Sequence, residues 1–468
     1  MGSPGLNQAR AKMVEAGVDP AAVEVFAHYY RLLEHGETGM IPESSIDPVD
    51  MPHLDDAQVD PEVAAEAVRH TAVIKLNGGL GTSMGMDRAK SLLCVRRGLS
   101  FLDIIARQIL HLRREYDATL PLVFMNSFRT SADTLEALAR YEDLPVAGLP
   151  LEFLQNKEPK LRVKDLTPIS WPADPDLEWC PPGHGDLYTA LVGTGLLDRL
   201  IDAGYRHVFV SNSDNLGAVP DAKVAGWFAA SGAPFAIEAV RRSASDKKGG
   251  HFARRKVDGR IVLRETAQTL PEDRAALADL DRHRFTSTNN LWFDVAEMKR
   301  LMEERDGVLG LPLIRNEKTV DPSDPSTPTV VQIESAMGAA IEVFEGAQTI
   351  EVGRDRFVPV KTTNDLLVLR SDVYDLGTDF VMDQRSDDLP YVELDADYYR
   401  LVEEFDRRFP EGAPSLREAD AFRVDGDWTF GRDIQVVGDV SLERPDGAQR
   451  VAAGTVLSSS DLGEGLDG

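Results

Sequence analysis

A glycine-rich loop constrains this chain more than any other feature. Four glycines, at positions 78, 79, 81 and 85, lie within eight residues and follow the apolar segment 72–74. Glycine lacks a Cβ atom, so such a loop lets the backbone turn sharply and approach a ligand. Its N–H groups form a concave anion site, to which we expect a following helix to add its dipole. The sequence therefore predicts a buried strand and then a loop for a nucleoside triphosphate, with Lys90 close enough to reach the phosphates.

The loop fits neither of the two common phosphate-binding motifs. A dinucleotide fingerprint needs G-x-G-x-x-G, but Met84 stands where its third glycine belongs. A Walker loop needs a glycine before its Lys-Ser/Thr pair, but Ala89 precedes Lys90 and Ser91. From the loop alone, an ordinary glycine-rich turn between a strand and a helix remains an open interpretation.

Short apolar segments alternate with helical periodicity from about residue 70 onward. Residues 120–125 and 207–210 are typical of buried strands, whereas residues 102–112 and 187–203 have the spacing of helices. Such alternation predicts an α/β fold with a mostly parallel sheet and helices on both faces. Ligands of such sheets bind beyond the carboxyl ends of the strands, where we place the glycine loop and residues 212–214.

The two ends of the chain differ from this central pattern. Residues 1–65 predict a helical arm with one apolar stripe, formed by Ala22, Phe26, Tyr29 and Leu33. Residues 385–457 predict a linker helix and then short alternating strands, the pattern of a small β-solenoid. The Ser-, Gly- and Asp-rich residues 458–468 predict a disordered tail. Residues 66–384 are left as the α/β domain.

The charge of the chain argues against several classes of partner. A formal net charge of −27 repels nucleic acids and anionic membranes, so a phosphate site must concentrate lysines or a divalent metal locally. No run approaches the ~18 apolar residues that cross a bilayer, and the start lacks the regions of a signal peptide. Because a chain of this length has only two cysteines, Cys94 and Cys180, we expect a reduced, cytoplasmic protein.

Several uncommon sequence blocks occur in an order that resembles one family. The glycine loop with Lys90 and Ser91 is similar to the signature of the eukaryotic-type UTP–glucose-1-phosphate uridylyltransferases, or UDP-glucose pyrophosphorylases. Further blocks match in order: FMNSF at 124–128, PPGHGD at 181–186, VSNSDNLG at 210–217, TNNLW at 288–292 and VKTTNDL at 360–366. These blocks cover most of residues 70–370, and weaker similarity continues to Leu457.

The resemblance implies a GT-A-like (Rossmann-like) nucleotidyltransferase domain at 66–384 and a left-handed β-helix in the C-terminal solenoid. It implies the reaction of UTP with glucose 1-phosphate to UDP-glucose and pyrophosphate, assisted by Mg²⁺ and without a covalent enzyme intermediate. A UDP-sugar or UDP-N-acetylhexosamine pyrophosphorylase and a non-catalytic nucleotide-sugar-binding protein stay open as alternatives. Self-association through the solenoid is also left open.

Three charged residues are the candidates for catalysis. The resemblance implies that Lys90 binds the triphosphate and that Lys361 contacts the attacking phosphate and the α-phosphate, where positive charge lets two anions approach. Asp214 is the candidate metal ligand, because Mg²⁺ takes one or two carboxylates beside phosphate oxygens and waters. The alternatives are ordinary surface lysines and an aspartate that caps a helix.

The remaining candidates form the nucleotide and sugar subsites. The resemblance implies that Gln155 and Gly183 contact uracil, for which the Gln155 amide offers a donor and an acceptor. It assigns His184 to the sugar phosphate, and we expect Asn212, Glu265 and Asn289 to contact sugar hydroxyls. The nucleotide set is Leu76, Asn77, Gly78, Gly79, Lys90, Gln155, Gly183, Asp214 and Lys361; the sugar-phosphate set is Gly79, His184, Asn212, Glu265 and Asn289.

Overall fold

The chain is built from helices and short strands arranged around one mixed sheet. The computed structural model describes residues 3–243, 246–247, 249–386, 388–444 and 447–458. Its α-helices are α1 Pro4–Glu15, α2 Pro20–Glu34, α3 Pro61–Arg69, α4 Phe101–Tyr116, α5 Ser131–Leu138, α6 Asp186–Gly193, α7 Leu196–Asp202, α8 Ala222–Ser231, α9 Arg274–Leu277, α10 Val295–Glu304, α11 Thr363–Arg370, α12 Ala396–Tyr399 and α13 Val402–Arg408. Its strands are β1 Ile46–Asp47, β2 Thr71–Asn77, β3 Cys94–Arg96, β4 Leu99–Ser100, β5 Leu122–Asn126, β6 Glu152–Leu154, β7 Glu158–Pro159, β8 Leu161–Arg162, β9 Trp179–Cys180, β10 His207–Asn212, β11 Phe235–Arg241, β12 His251–Arg255, β13 Ile261–Arg264, β14 Phe285–Asp294, β15 Ile314–Thr319, β16 Thr329–Glu334, β17 Gln348–Glu351, β18 Tyr374–Leu376, β19 Met382–Gln384, β20 Tyr391–Leu394, β21 Ser415–Val424, β22 Trp428–Phe430, β23 Gln435–Leu442, β24 Gln449–Val451 and β25 Val456–Ser458.

The central sheet joins seven of the described strands in the order β17-β11-β14-β10-β2-β5-β6. β14 runs antiparallel to its neighbours β10 and β11, and the other neighbouring pairs are parallel. The predicted α/β fold is confirmed, with a mixed sheet. Asn212 of β10 lies opposite Leu76 of β2, so the carboxyl ends of these two strands are level.

Alternate residues along the strands point into two apolar layers on opposite sides of the sheet. In β2, Val73 belongs to the layer that contains α4 and α8. Its neighbours Ala72 and Ile74 belong to the layer that contains α1, α2, α6, α7 and α10. The predicted helices on both faces are therefore confirmed.

The N-terminal arm is a pair of helices packed on the second of these layers. Ser3 and Asp19 cap α1 and α2 by accepting hydrogen bonds from backbone N–H groups of the first turn. Gly17, with φ +68°, lies in the turn between the two helices. The predicted apolar stripe is confirmed as buried, at Ala22, Phe26, Tyr29 and Leu33. The arm is thus part of the core of the molecule.

The helix expected after the glycine loop does not form. Residues 76–92 are all described, and they contain only 3₁₀ turns, at Thr82–Met84 and Lys90–Leu92. Gly81 and Gly85 have φ values of +68° and +77°, and left-handed residues of this kind end a helical turn. A helix dipole directly after the loop therefore does not contribute to this site.

A second helical prediction is corrected in detail. The helix expected over 187–203 is divided into α6 and α7. Gly195, which precedes α7, has φ +68°, and this left-handed conformation breaks the helical path.

The C-terminal strands stack in parallel into small coils. β20, β21, β23 and β25 form one parallel ladder, and β22 pairs in parallel with β24. Trp428 lies opposite Gln449 and Gln435 opposite Val456, so these strands repeat after 21 residues, whereas β21 and β23 pair at offsets of 18 to 20 residues. The linker helix and the short strands agree with the sequence. Ser458 ends β25, and the rest of the predicted tail lies outside the described residues.

Two findings bear on the environment of the chain. Among the described helices, none combines the length and the apolar character needed to cross a membrane. Cys94 is exposed and Cys180 is buried, and both are free thiols.

Candidate functional site

A cavity of about 310 Å³ opens at the carboxyl ends of β2 and β10. This is the edge of the sheet at which the sequence places a ligand. The cavity contains nine of the predicted site residues, namely Leu76, Gly78, Gly79, Lys90, Gln155, Gly183, His184, Asn212 and Asp214. Met125, Pro181 and Ser213 complete its lining, and none of these three is among the predicted site residues.

Two glycines of the loop, Gly78 and Gly79, have different surroundings. A Cβ atom on Gly78 would lie 2.8 Å from Gln155 Oε1 and 3.0 Å from Gln155 Nε2. Any other residue at position 78 would displace the amide that we assign to the base. A Cβ atom on Gly79 would meet no described atom within 4 Å, because this residue faces open space in the cavity. The backbone here is therefore accessible to an anionic ligand.

Lys90 and Asp214 form the charged centre of the cavity. Lys90 Nζ lies 2.7 Å from Asp214 Oδ2 and also donates a hydrogen bond to the carbonyl of Val360. The N–H of Val360 in turn donates to the carbonyl of Asp214 at 3.1 Å. Three segments that are far apart in the sequence thus meet at one ammonium group. In this arrangement Lys90 is held between the Asp214 carboxylate and the Val360 carbonyl at the edge of the cavity.

Lys361 lies next to this centre but outside the cavity lining. Its side chain is exposed, and its N–H donates to Asp365 Oδ2 at 2.7 Å at the start of α11. Burial raises the pKa of Glu265, and the charge of Lys361 opposes that shift. Lys361 and Glu265 are therefore electrostatic neighbours at the rim of the site, although neither lines the cavity in this structure.

The histidine loop is fixed against a neighbouring segment. Gly183 has φ +79°, and a Cβ atom on it would lie 2.5 Å from the carbonyl oxygen of Ser335. His184 Nδ1 accepts a hydrogen bond from the N–H of Met337 at 2.9 Å. Loss of hydration lowers the pKa of His184, and the charge of Glu334 opposes this. The ring is therefore neutral in this arrangement, and Nε2 carries the proton that it can donate to a ligand.

Asn289 occupies an irregular position in β14. Ile237 of β11 pairs with Leu291 and Ala239 pairs with Ser287, so three residues of β14 face one residue of β11. Asn289, in the middle of this bulge, has φ +59°, a conformation that is uncommon outside glycine. Bulges redirect side chains near functional sites. Asn289 does not line the cavity. Because of the bulge, its side chain does not follow the regular alternation of the other β14 residues.

The side chain of Asn77 points away from the cavity. Its Nδ2 donates to Asn126 Oδ1 at 2.8 Å and to Thr134 Oγ1 at 2.9 Å, and its Oδ1 accepts from Ser213 Oγ at 3.0 Å. Asn77 is 2% exposed. Its side chain joins the end of β5, helix α5 and the loop after β10. The structure therefore places its side chain under the loop, where it holds the loop in place.

Asp186 fastens two of the predicted subsites together. Its carboxylate accepts hydrogen bonds from the backbone N–H and the Nδ2 of Asn156, at 2.6 and 2.8 Å. Asn156 follows Gln155, and Asp186 lies two residues after His184. Burial raises the pKa of Asp186 to about 6, while its hydrogen bonds with Asn156 oppose that shift. This residue fixes the distance between the base-binding and sugar-phosphate candidates.

A buried polar network beneath the cavity was missed at the level of sequence. Arg356 pairs with Glu238 through Nε at 2.6 Å and Nη2 at 2.7 Å. Asn215 accepts from the N–H of Val358 at 2.8 Å. These contacts join the segment after Asp214 to the segment before Lys361. The sequence contains one indication of buried polar contacts here. Lys75 places a charged side chain directly after the apolar residues 72–74.

A divalent metal ion at this cavity would need oxygen ligands. Within the described ranges, no group of three or more His, Cys, Asp or Glu side chains is arranged to hold a metal ion. Asp214 offers a single carboxylate beside the cavity. Mg²⁺ often takes one or two carboxylates and completes its shell with phosphate oxygens and waters. The residues present therefore fit a Mg²⁺ ion that arrives with a nucleotide.

Comparisons with known proteins extend these observations. A family model described as UTP–glucose-1-phosphate uridylyltransferase matches residues 23–437. A probable UTP–glucose-1-phosphate uridylyltransferase from Schizosaccharomyces pombe is 37% identical over 379 residues, which are 80% of this chain and 73% of the relative. The enzyme of that name from Musa acuminata is 36% identical over 406 residues, 86% of this chain and 84% of the relative.

A solved structure is similar over nearly the whole length. It is a mutant UDP-glucose pyrophosphorylase from Leishmania major in complex with UDP-glucose, with 41% sequence identity and a TM-score of 0.93. The match covers 98% of this chain and 99% of that one. Because the family model spans most of the sequence and these relatives are at least 36% identical over at least 80% of the chain, this chain belongs to the UTP–glucose-1-phosphate uridylyltransferase family.

Proposed function

We propose that the chain transfers the uridylyl group of UTP to glucose 1-phosphate, forming UDP-glucose and pyrophosphate. Family membership supports this reaction, and a similar protein has been solved with UDP-glucose. The observation that carries the proposal at the level of residues is the cavity at the ends of β2 and β10. There the glycine loop, Lys90 and Asp214 meet the candidates for the base and for the sugar phosphate.

The proposed mechanism is an in-line attack without a protein nucleophile. A phosphate oxygen of glucose 1-phosphate attacks the α-phosphorus of UTP, and pyrophosphate leaves on the opposite side. Such transfers depend mainly on positioning and on neutralising charge. Lys90 would hold the outer phosphates, and Lys361 at the rim would reduce the repulsion between the two reacting anions. Both ammonium groups act by charge and need not lose a proton.

The remaining residues would orient the two substrates. Gln155 pairs with the uracil edge above Gly78, and Gly183 brings backbone close to the base. His184, neutral and protonated on Nε2, donates to the sugar phosphate. Asn212, Glu265 and Asn289 take the sugar hydroxyls. The full nucleotide set includes Leu76, Gly79 and the backbone of Asn77.

Asp214 is the proposed ligand of a bound Mg²⁺ ion. When bound, the ion would neutralise charge on the phosphates of UTP and orient them. Lys90 lies 2.7 Å from the same carboxylate, so Asp214 would hold the ion and would also orient the Lys90 ammonium group.

We further propose the finer architecture that the resemblance implies. The domain at 66–384 is GT-A-like, the arm is 1–65, and the C-terminal region 385–457 is a short left-handed β-helix. The parallel stacking of β21, β23 and β25 supports a solenoid. Free cysteines at 94 and 180 support a cytoplasmic location. The exposed end of the solenoid is the surface that we propose for any self-association.

A substrate panel tests the proposed reaction. The purified chain is mixed with UTP, Mg²⁺ and one of several sugar 1-phosphates, and pyrophosphate release is measured. We expect the highest turnover with glucose 1-phosphate. Faster turnover with N-acetylglucosamine 1-phosphate would replace the proposal with the UDP-N-acetylhexosamine alternative. Binding of UDP-glucose without pyrophosphate release from any sugar would indicate a non-catalytic nucleotide-sugar-binding protein.

A further inference from the structure

Lys75 is a buried lysine directly beneath the cavity. It lies in β2, two residues before the end of the strand, and is 1% exposed. Its Nζ donates to Ser211 Oγ at 2.7 Å and to the carbonyl of Ala218 at 2.6 Å. A buried ammonium group carries a large desolvation cost. A hydrophobic residue of similar length would avoid that cost, so packing alone does not account for a lysine here.

The partners of Lys75 belong to the segment that presents Asp214. Ser211 lies opposite Lys75 in the neighbouring strand β10. Ala218 lies in the second half of the loop 213–221, which joins β10 to α8 and contains Asp214. The bond from Lys75 to the Ala218 carbonyl therefore ties the second half of this loop to the central strand of the sheet.

The same loop is held from its other side by the network already described. Arg356 Nη1 donates to the carbonyl of Val219 at 3.0 Å. Asn215 Oδ1 accepts from the N–H of Gly217 at 3.2 Å and from Val358 at 2.8 Å. Lys75 is thus one of several buried side chains that fix the path of residues 213–219. Asn77, at the end of the same strand, accepts from Ser213 Oγ at 3.0 Å at the start of this loop, whereas Lys75 holds its later part.

The charges around Lys75 fit this role. Burial lowers the pKa of Lys75 to about 7, and the charge of Arg356 lowers it too, while Glu238 and Asp214 oppose the shift. The ring of Phe209 lies beneath the ammonium, with its centroid 5.9 Å from Nζ. Asp214 therefore interacts electrostatically with Lys75 from inside the sheet and with Lys90 from the cavity side.

We propose that Lys75 is a positioning residue, which holds the loop 213–219 so that Asp214 stays aligned with Lys90 and with the phosphates of the nucleotide. This inference rests on the proposed function, because the alignment matters for phosphate chemistry. Displacements of about 1 Å in such a site can lower turnover by roughly 100-fold. The lysine is needed for its reach and its donors, and not for direct contact with the substrate.

The test compares Lys75→Met with a matched control, Lys160→Met. Lys160 is also buried, at 4% exposure, and its Nζ donates to the carbonyl of Val320 at 2.8 Å. It does not line the cavity. Methionine keeps the length of lysine and removes the buried charge, so both variants are expected to fold.

We expect Lys75→Met to lower kcat by at least about 30-fold while KM for glucose 1-phosphate changes by less than about threefold. Lys160→Met should keep kcat within about twofold. Hydrogen exchange of the ligand-free proteins provides a second readout. Amides of residues 214–219 should lose protection in Lys75→Met and keep it in Lys160→Met. A folded Lys75→Met protein with near-normal kcat and unchanged protection of this loop would overturn the proposal.

Two further measurements keep the test decisive. If Lys75→Met does not accumulate as folded protein, Ser211→Ala removes one acceptor of Lys75 and should lower kcat and the protection of residues 214–219 in the same direction. Unchanged values in Ser211→Ala would then count against the role. If the wild-type chain releases no pyrophosphate, the proposed function fails, while hydrogen exchange still shows whether Lys75 holds the loop.

Discussion

At the residue scale, the charged centre depends on one ammonium group with two partners. Lys90 contacts Asp214, 124 residues away, and Val360, 270 residues away. The ion pair is mostly buried, with 16% and 25% of the two side chains exposed. A pair in this setting is held more firmly than one on the surface. Removing the ammonium would leave the carboxylate facing the phosphates without its counter-charge.

Lys90→Met should lower turnover by about 100-fold to 1,000-fold, the range found when one preorganised positive donor is lost. Pyrophosphate release at saturating substrates measures this effect. Arg88→Ala provides the control, because Arg88 lies in the same loop with its side chain 65% exposed. The control should keep near-normal turnover. Equal loss in both variants would indicate damage to the loop and not to the charged centre.

Asp186 gives a prediction about pH at the same scale. The pKa of Asp186 in the folded protein is raised from 3.8 to about 6. At pH values between these two, the folded protein retains a proton on this carboxyl group that the unfolded chain has lost. Its contribution to stability therefore decreases as pH rises from about 4 through 6 and levels off above about pH 7. In Asp186→Asn this dependence is absent.

The free energy of unfolding of Asp186→Asn relative to wild type should therefore increase by roughly 1 kcal/mol between pH 5 and pH 8. Denaturant titrations of both proteins at several pH values measure this difference. The substitution also removes a carboxylate acceptor. This loss changes the free energy of unfolding by a similar amount at every pH, so it does not alter how the difference between the two proteins depends on pH. A difference that is flat or falls with pH would show that Asp186 is already ionised in the folded protein at pH 5.

At the element scale, the bulge in β14 concerns two properties of Asn289, its backbone conformation and its side-chain amide. Its φ of +59° favours glycine sterically, while its amide is the feature that we assign to the sugar. The neighbouring Asn290 donates through Nδ2 to the buried Glu238 at 3.0 Å. The bulge is thus anchored on one side, and this anchoring fixes the backbone of Asn289.

Asn289→Gly and Asn289→Ala should separate these properties. Both variants lose the amide and should raise KM for glucose 1-phosphate by about 10-fold, equivalent to one hydrogen bond of ~1.4 kcal/mol. Only the alanine variant should also lose stability, by about 1 kcal/mol, because alanine is strained at positive φ. Steady-state kinetics and thermal unfolding measure the two effects. Unchanged KM in the glycine variant would remove Asn289 from the sugar site.

At the scale of the whole molecule, the C-terminal coils share a core with the central sheet. One apolar layer contains Val73 of β2, Leu366 of α11 and Phe422 and Leu457 of the coils. Leu401, before α13, lies against the glycine loop, because a Cβ atom on Gly85 would be 3.1 Å from Leu401 Cδ2. The coils therefore share the apolar layer beneath the sheet, and the segment before β21 contacts the glycine loop through Leu401.

We expect the full chain to unfold in one cooperative transition in calorimetry, and residues 1–384 alone to aggregate. The reason is that the truncated chain exposes the apolar face that the coils cover. Size-exclusion chromatography and dye binding to exposed apolar surface measure the second effect. A monomeric fragment with the melting temperature of the full chain would show that the two parts are independent.

Most of the elements could be predicted from the sequence because they depend on local spacing. The glycine loop, the strands at 122–126 and 207–212 and the C-terminal strands all follow from apolar periodicity and from glycine. The blocks that resemble the family contain eight of the nine predicted residues that line the cavity, and Gln155 is the one outside them. The missing helix after the loop was the local error, since two left-handed glycines outweighed the common strand–loop–helix pattern.

By itself, the sequence determined the kinds of elements, the family and the candidate residues. Only the tertiary structure decided that Lys90 meets Asp214 and Val360, that Asn77 points beneath the loop and that Lys75 holds the segment after β10. The physical reason is that periodicity reports which face of an element is buried. The contacts between distant residues depend instead on strand order, register and bulges, which form only when the whole sheet is assembled.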